Sequence, residues 1–122
     1  MPLDFTAIDF ETANSSSASA CAVGLARVRD GHVIETAGWL IKPPAGHDQF
    51  FEVNIGIHGI RPDHVAAAPT WTDQLGALTD FVGDDVLVAH NAGFDVRVLR
   101  TACEATDAPC PPYRYVCSLQ AV

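Results

Sequence analysis

The 122-residue chain has little positive charge. Seven Lys and Arg stand against fifteen Asp and Glu, a formal net charge of −8. That balance argues against a broad basic surface for duplex nucleic acid, whose affinity comes largely from phosphate neutralisation. It leaves room for a small acidic pocket that takes a divalent metal first and a phosphate second, the metal supplying the positive charge. Long apolar runs are also missing. None is long enough to span a bilayer, and no basic segment followed by an apolar block opens the chain. A soluble, unsecreted, cytoplasmic protein is expected, with no membrane contact. The four cysteines, Cys21, Cys103, Cys110 and Cys117, include no CxxC pair. Neither a structural zinc site nor a disulfide framework is expected, and the thiols read as reduced packing residues. There are no internal repeats and no low-complexity tract.

What is present is apolar. Hydrophobic residues make up 48% of the chain, which excludes a disordered polymer and allows one domain over 1–122 with a modest core. The pattern predicts a first strand in DFTAIDFE (4–11) and a loop in SSSAS (15–19). A second, apolar and β-branched strand follows in ACAVGLARVR (20–29). Asp30-Gly31 is a two-residue hairpin signal. Its antiparallel partner is HVIETAGWLIKP (32–43), closed by Pro43-Pro44. Residues 43–69 read as loop, with an oddly apolar NIGIHGI at their centre.

Trp71, Leu75, Leu78 and Phe81–Val82 fall at helical spacing, with Gly83 at the expected helix end. DVLVAH (85–90) reads as a strand buried on both faces. In GFDVRVLRTACEAT (93–106), Asp95, Val98, Leu99, Ala102 and Cys103 share one helical face, so Asp95 heads an apolar stripe rather than pointing to water. YRYVCSL (113–119) is the expected last strand. The order is strand, hairpin, helix, strand, helix, strand. An α/β mixed sheet with flanking helices and right-handed crossovers is predicted.

Three acids stand out. Asp9 and Glu11 are two apart in a strand, so both point to the same side. On a buried face such a pair is costly unless something positive sits between them. Asp95 directly follows the DVLVAH strand, which could pair beside the first. All three would then gather at one sheet edge, where α/β folds place ligands. Divalent cations relieve the repulsion, and oxygen ligands favour magnesium or manganese. Blander readings stay open: Asp95 could serve the positive end of its helix, and Glu11 could sit at a frayed strand end. Of the histidines, His32 and His47 read as turn or loop surface. His90 fixes a turn, and His58 either lines a pocket or packs in its loop.

FTAIDFETA, IHGI and LVAHNAGFDVRVL, in that order, resemble the DEDDh class of 3′–5′ exonucleases. The likeness is to the proofreading epsilon subunit of bacterial DNA polymerase III and its stand-alone relatives, and it runs along nearly all of 3–119. The resemblance implies a ribonuclease H-like fold with a five-stranded mixed sheet and two divalent ions, Mg²⁺ or Mn²⁺. The implied reaction releases nucleoside monophosphates from a single-stranded DNA or RNA 3′ end. It implies Asp9, Glu11 and Asp95 as catalytic metal ligands, with Thr12, Ala13, His58 and Ile60 against the terminal nucleotide. Asn91 and Phe94 would support the turn that aims Asp95. Association with a DNA polymerase is a further implication.

The family's third motif, HxAxxD, carries its general-base histidine and a fourth carboxylate. HNAGFD (90–95) fits those letters but follows an apolar strand inside the second block, so it belongs to the second motif. The reading is of an exonuclease domain whose C-terminal helices are missing, with impaired activity and a homodimer over the exposed sheet face. Two rival readings are an inactive nucleotide- or protein-binding module on the same fold, and a metal hydrolase acting on other phosphoesters.

Overall fold

Alternation makes FTAIDFET a strand: Thr6, Ile8, Phe10 and Thr12 are buried while Asp9 between them is exposed. The computed structural model describes residues 2–118. Its elements, in chain order, are β1 (Phe5–Thr12), β2 (Ala20–Arg29), β3 (His32–Leu40), α1 (Glu52–His58), α2 (Pro62–Val65), α3 (Trp71–Val82), β4 (Leu87–Ala89), α4 (Ala92–Ala105) and β5 (Tyr115–Cys117). The five strands form one mixed sheet in the order β3-β2-β1-β4-β5. The β1–β2 and β2–β3 pairs are antiparallel, and β1–β4 and β4–β5 are parallel. Asp30 and Gly31 both take positive φ, 52° and 76°, the backbone that a twisted two-residue hairpin turn requires.

The core lies between one sheet face and the two long helices. Ile8, Phe10, Val23, Leu25 and Leu87 meet Trp71, Leu78 and Val82 of α3 and Val98, Leu99, Ala102 and Cys103 of α4. Phe10 and Trp71 pack with ring centroids 5.8 Å apart. All five residues of the predicted α4 stripe are buried. The α3 face comes out as Trp71, Gln74, Leu78 and Val82, with Leu75 and Phe81 half-buried at its edges. Gln74 earns its place by accepting the Trp39 indole N–H at 2.8 Å.

Three sequence expectations need correction. The stretch 43–69 is not loop throughout, since it contains α1 and α2. Only Ile55 of α1 is buried, so no apolar stripe marks the helix. Its end is set by Gly59, whose left-handed backbone (φ 74°) lets its N–H bond the Ile55 carbonyl. Second, the side of β1 carrying Asp9 and Glu11 is not a buried face: Asp9 is exposed and Glu11 half-exposed. Third, only Cys21 and Cys103 are packing thiols, while Cys110 is exposed. The strand predicted to end at 119 is β5, and Leu119 onward lies outside the described residues. Among the described residues, no helix is long and apolar enough to cross a membrane.

Candidate functional site

β1 and β4 run parallel, pairing Thr6 with Leu87 and Ala7 with Val88. The chain leaves β4, turns at His90 and Asn91, and enters α4 beside the end of β1 that carries the acids. The Asn91 carbonyl accepts the N–H groups of Phe94 and Asp95, at 3.0 and 3.4 Å, which starts the helix tightly. Asp95 is thereby delivered to β1, and its Oδ1 accepts the Phe10 backbone N–H at 3.0 Å. That bond joins residues 85 apart in sequence and ties the head of α4 to the strand between Asp9 and Glu11.

A cavity of ≈ 400 Å³ opens at this point, lined by Asp9, Glu11, Thr12, Asn54, Ile57, His58, His90, Asn91, Phe94 and Asp95 with Phe10. Across β2, Asp9 faces Gly24 and Glu11 faces Ala22. These small partners leave the space over the acids open. The β1–β2 register then shifts between Glu11 and Thr12, a bulge of the kind that re-aims side chains next to functional sites.

The other sequence-predicted residues divide. Thr12 and His58 line the cavity. Ala13 is fully buried, and it packs with Cys21 and Val65 in a second cluster that also takes Ile60. Neither Ala13 nor Ile60 lines the cavity, because the turn after the bulge and the chain after Gly59 carry them into that small core. Ile57 supplies the apolar lining instead. Asn91 and Phe94 stand where the turn needs them, and both line the cavity.

His58 is spent on the main chain. The Ile60 N–H donates to its Nδ1 at 2.9 Å, so the proton sits on Nε2, which donates to the Thr12 carbonyl at 2.9 Å. Asn54, one turn earlier, donates to the same carbonyl at 3.1 Å. Two side chains four apart therefore clamp α1 to the end of β1. The sequence reading missed Asn54 and Ile57. The signal that could have found Asn54 is its i,i+4 spacing to His58, visible once 52–58 is read as helix.

The electrostatics are one-sided. Burial pushes the Asp95 carboxyl up to about 6, and the charges of Asp9 and Glu11 push the same way against the Phe10 hydrogen bond. Glu11 is raised by burial and by Asp9, with His58 opposing. No Lys or Arg is among the residues lining the cavity. Buried carboxylates without a protein cation suit a hard divalent ion, since all three donors are oxygen. Asp9, Glu11 and Asp95 fit that role by chemistry and shared cavity. As they stand their oxygens are not gathered to ligating distance: among the described residues no three His, Cys, Asp or Glu side chains form a metal-holding group. Mutual repulsion accounts for the spacing.

The family model for the RNase T exonucleases matches residues 6–121. The chain is 31% identical over 124 residues to a Mycobacterium tuberculosis protein whose name couples exonuclease with endonuclease, covering 95% of this chain and 19% of the relative. It is 31% identical over 100 residues to the PolC-type DNA polymerase III of Bacillus subtilis, covering 80% of this chain and 7% of the polymerase. The chain thus spans a fifth or less of these curated relatives. Exonuclease X in complex with 5′-overhanging duplex DNA superposes with a TM-score of 0.71 at 25% identity, over 93% of this chain and 58% of that one. Product-bound exonuclease I superposes with a TM-score of 0.82 at 17% identity, over 99% and 31%, which shows the shared fold.

Proposed function

Because the chain belongs to the DEDDh 3′–5′ exonuclease family, we propose that it removes nucleotides one at a time from a single-stranded 3′ end. The observation that carries this reading is the cavity lined by Asp9, Glu11 and Asp95 with no Lys or Arg in its wall. We assign those three carboxylates as ligands for two divalent ions, Mg²⁺ or Mn²⁺. Bound there, such ions supply an activated water and stabilise the leaving oxygen of a phosphodiester. Asp9 and Glu11 project from the same side of a paired strand, which fixes their spacing. The Phe10 N–H holds Asp95 against that strand. Thr12 lies at the wall next to Glu11, and Gly24 and Ala22 keep the face above the acids open to a strand end.

HxAxxD occurs once in the sequence, at 90–95, and its Asp95 serves the second motif. A general base typically contributes about 10²–10⁴-fold, so residues 1–122 tested alone are expected to turn over slowly. A homodimer over the sheet face bearing Ala7, Gly24 and Ala26, and work alongside a DNA polymerase, belong to the same proposal. The deciding experiment is release of mononucleotides from a labelled single strand with Mn²⁺. Asp9→Ala should lose at least roughly 10²-fold, because a metal ligand bears several kcal/mol of transition-state charge stabilisation. Equal rates for the two proteins would remove Asp9 from the chemistry.

A further inference from the structure

Helix α1 presents three different faces. Ile55 points into the protein, and Asn54 and His58 are bonded to the Thr12 carbonyl. Val53 and Ile57, also four apart, face outward and are 70% and 77% exposed. They are among the most exposed large apolar side chains of the described residues, yet the helix that carries them is hydrogen-bonded to the cavity rim. Ile57 lines the cavity itself.

We propose that Val53 and Ile57 form an apolar rail that holds the unpaired bases of a single strand beside the carboxylate cavity, a specificity device resting on the exonuclease reading. Three observations support it. The rail is continuous with the cavity through Ile57, so whatever enters the cavity passes it. Glu52 next to Val53 and the acids of the cavity make this surface repulsive to phosphate, so the strand must turn its bases toward α1. Finally, four residues of helix rise about 6 Å, against about 3.4 Å per nucleotide along a stacked strand, so the rail covers about two bases. A protein partner is disfavoured because two side chains fall far below the about 800 Å² each partner buries in a specific interface. Neither aliphatic side chain offers a hydrogen bond to a base edge, so the rail grips bases without reading their sequence.

The test uses a fluorescent oligothymidylate and an abasic strand of equal length, in calcium buffer so that neither is cut. Wild-type chain should bind the base-bearing strand more tightly than the abasic one. Val53→Ser/Ile57→Ser should weaken binding of the first by roughly tenfold and leave the second unchanged. Circular dichroism and a melting curve should match wild type, since both side chains lie outside the core. Equal affinity of wild type for the two strands, or an equal loss on both in the variant, overturns the rail. A change of oligomeric state with strand binding intact also overturns it, by making the patch a protein contact. If wild type binds neither strand, the exonuclease reading itself falls and takes the rail with it.

Discussion

Two aspartates bracket β4 and have opposite surroundings. Asp85, just before the strand, is gripped by Arg29 through two bonds of 3.0 Å and by the Thr6 hydroxyl at 2.8 Å. Burial works to raise its carboxyl, but the Arg29 and Thr6 bonds outweigh it and hold the group below its ordinary value. Asp95, just after the strand, has one backbone N–H and two other acids for company, and it titrates near 6. The same side chain is a strut at one end of β4, because its counter-charge is built in. At the other end it is a vacancy for a cation. Burial of an acid therefore points to a site only when no Lys or Arg shares its cavity.

The largest expected effect comes from making the same substitution at both ends. In chelator at neutral pH, Asp95→Asn should stabilise the fold by on the order of 2–3 kcal/mol, since it removes a buried charge whose pKa lies about two units above its ordinary 3.8. The amide oxygen can still accept the Phe10 N–H. The same variant should lose metal-dependent turnover. Asp85→Asn should destabilise by about 1 kcal/mol, a value reduced because the Arg29 side chain is partly exposed. Urea midpoints for the two variants should move in opposite directions; movement the same way would end the contrast.

A titration sharpens it. The folded chain holds a proton on Asp95 that the unfolded chain releases between about pH 4 and 6. Stability from this group is therefore highest in acid and falls as pH rises through that window. The difference in melting temperature between Asp95→Asn and wild type should be near zero at pH 4 and level off above pH 7. A flat difference would mean that Asp95 is not the group titrating. The smallest effect is expected at the clamp on α1. Asn54→Ala should cost about 1 kcal/mol locally, read as faster amide exchange across 52–58 with the β1 amides unchanged. Loss of β1 protection as well would show that α1 and β1 open together.

Much of this was legible from local pattern. The boundaries of β2 and the buried stripe of α4 follow from apolar periodicity, and the hairpin follows from Asp30-Gly31. The three acids were found because carboxylates within apolar stretches break that periodicity. Helix α1 was not legible, since seven residues with a single buried side chain carry too little pattern to outweigh Gly56 and the flanking Pro and Gly. Ile60 and Ala13 were misplaced for a related reason. Apolar residues near a site serve equally well as wall or as core, and only the path of the chain after the bulge and after Gly59 decides between them. The exposed face of Asp9 was missed because its neighbours Ile8 and Phe10 are deeply buried, and in a strand that says nothing of the opposite side.

By itself the sequence determined which segments are extended or helical, and that Asp9 and Glu11 project together, because a strand's two-residue repeat is a property of the backbone. It also set a charge balance in which any phosphate chemistry needs a borrowed cation. Only the tertiary structure decided that Asp95 meets β1 at the Phe10 amide, that both nitrogens of His58 are committed to the main chain, and that Ile57 rather than Ile60 faces the cavity. Those outcomes depend on which strands pair and where helices cross them. Such pairings join residues tens of positions apart, beyond the reach of any local period.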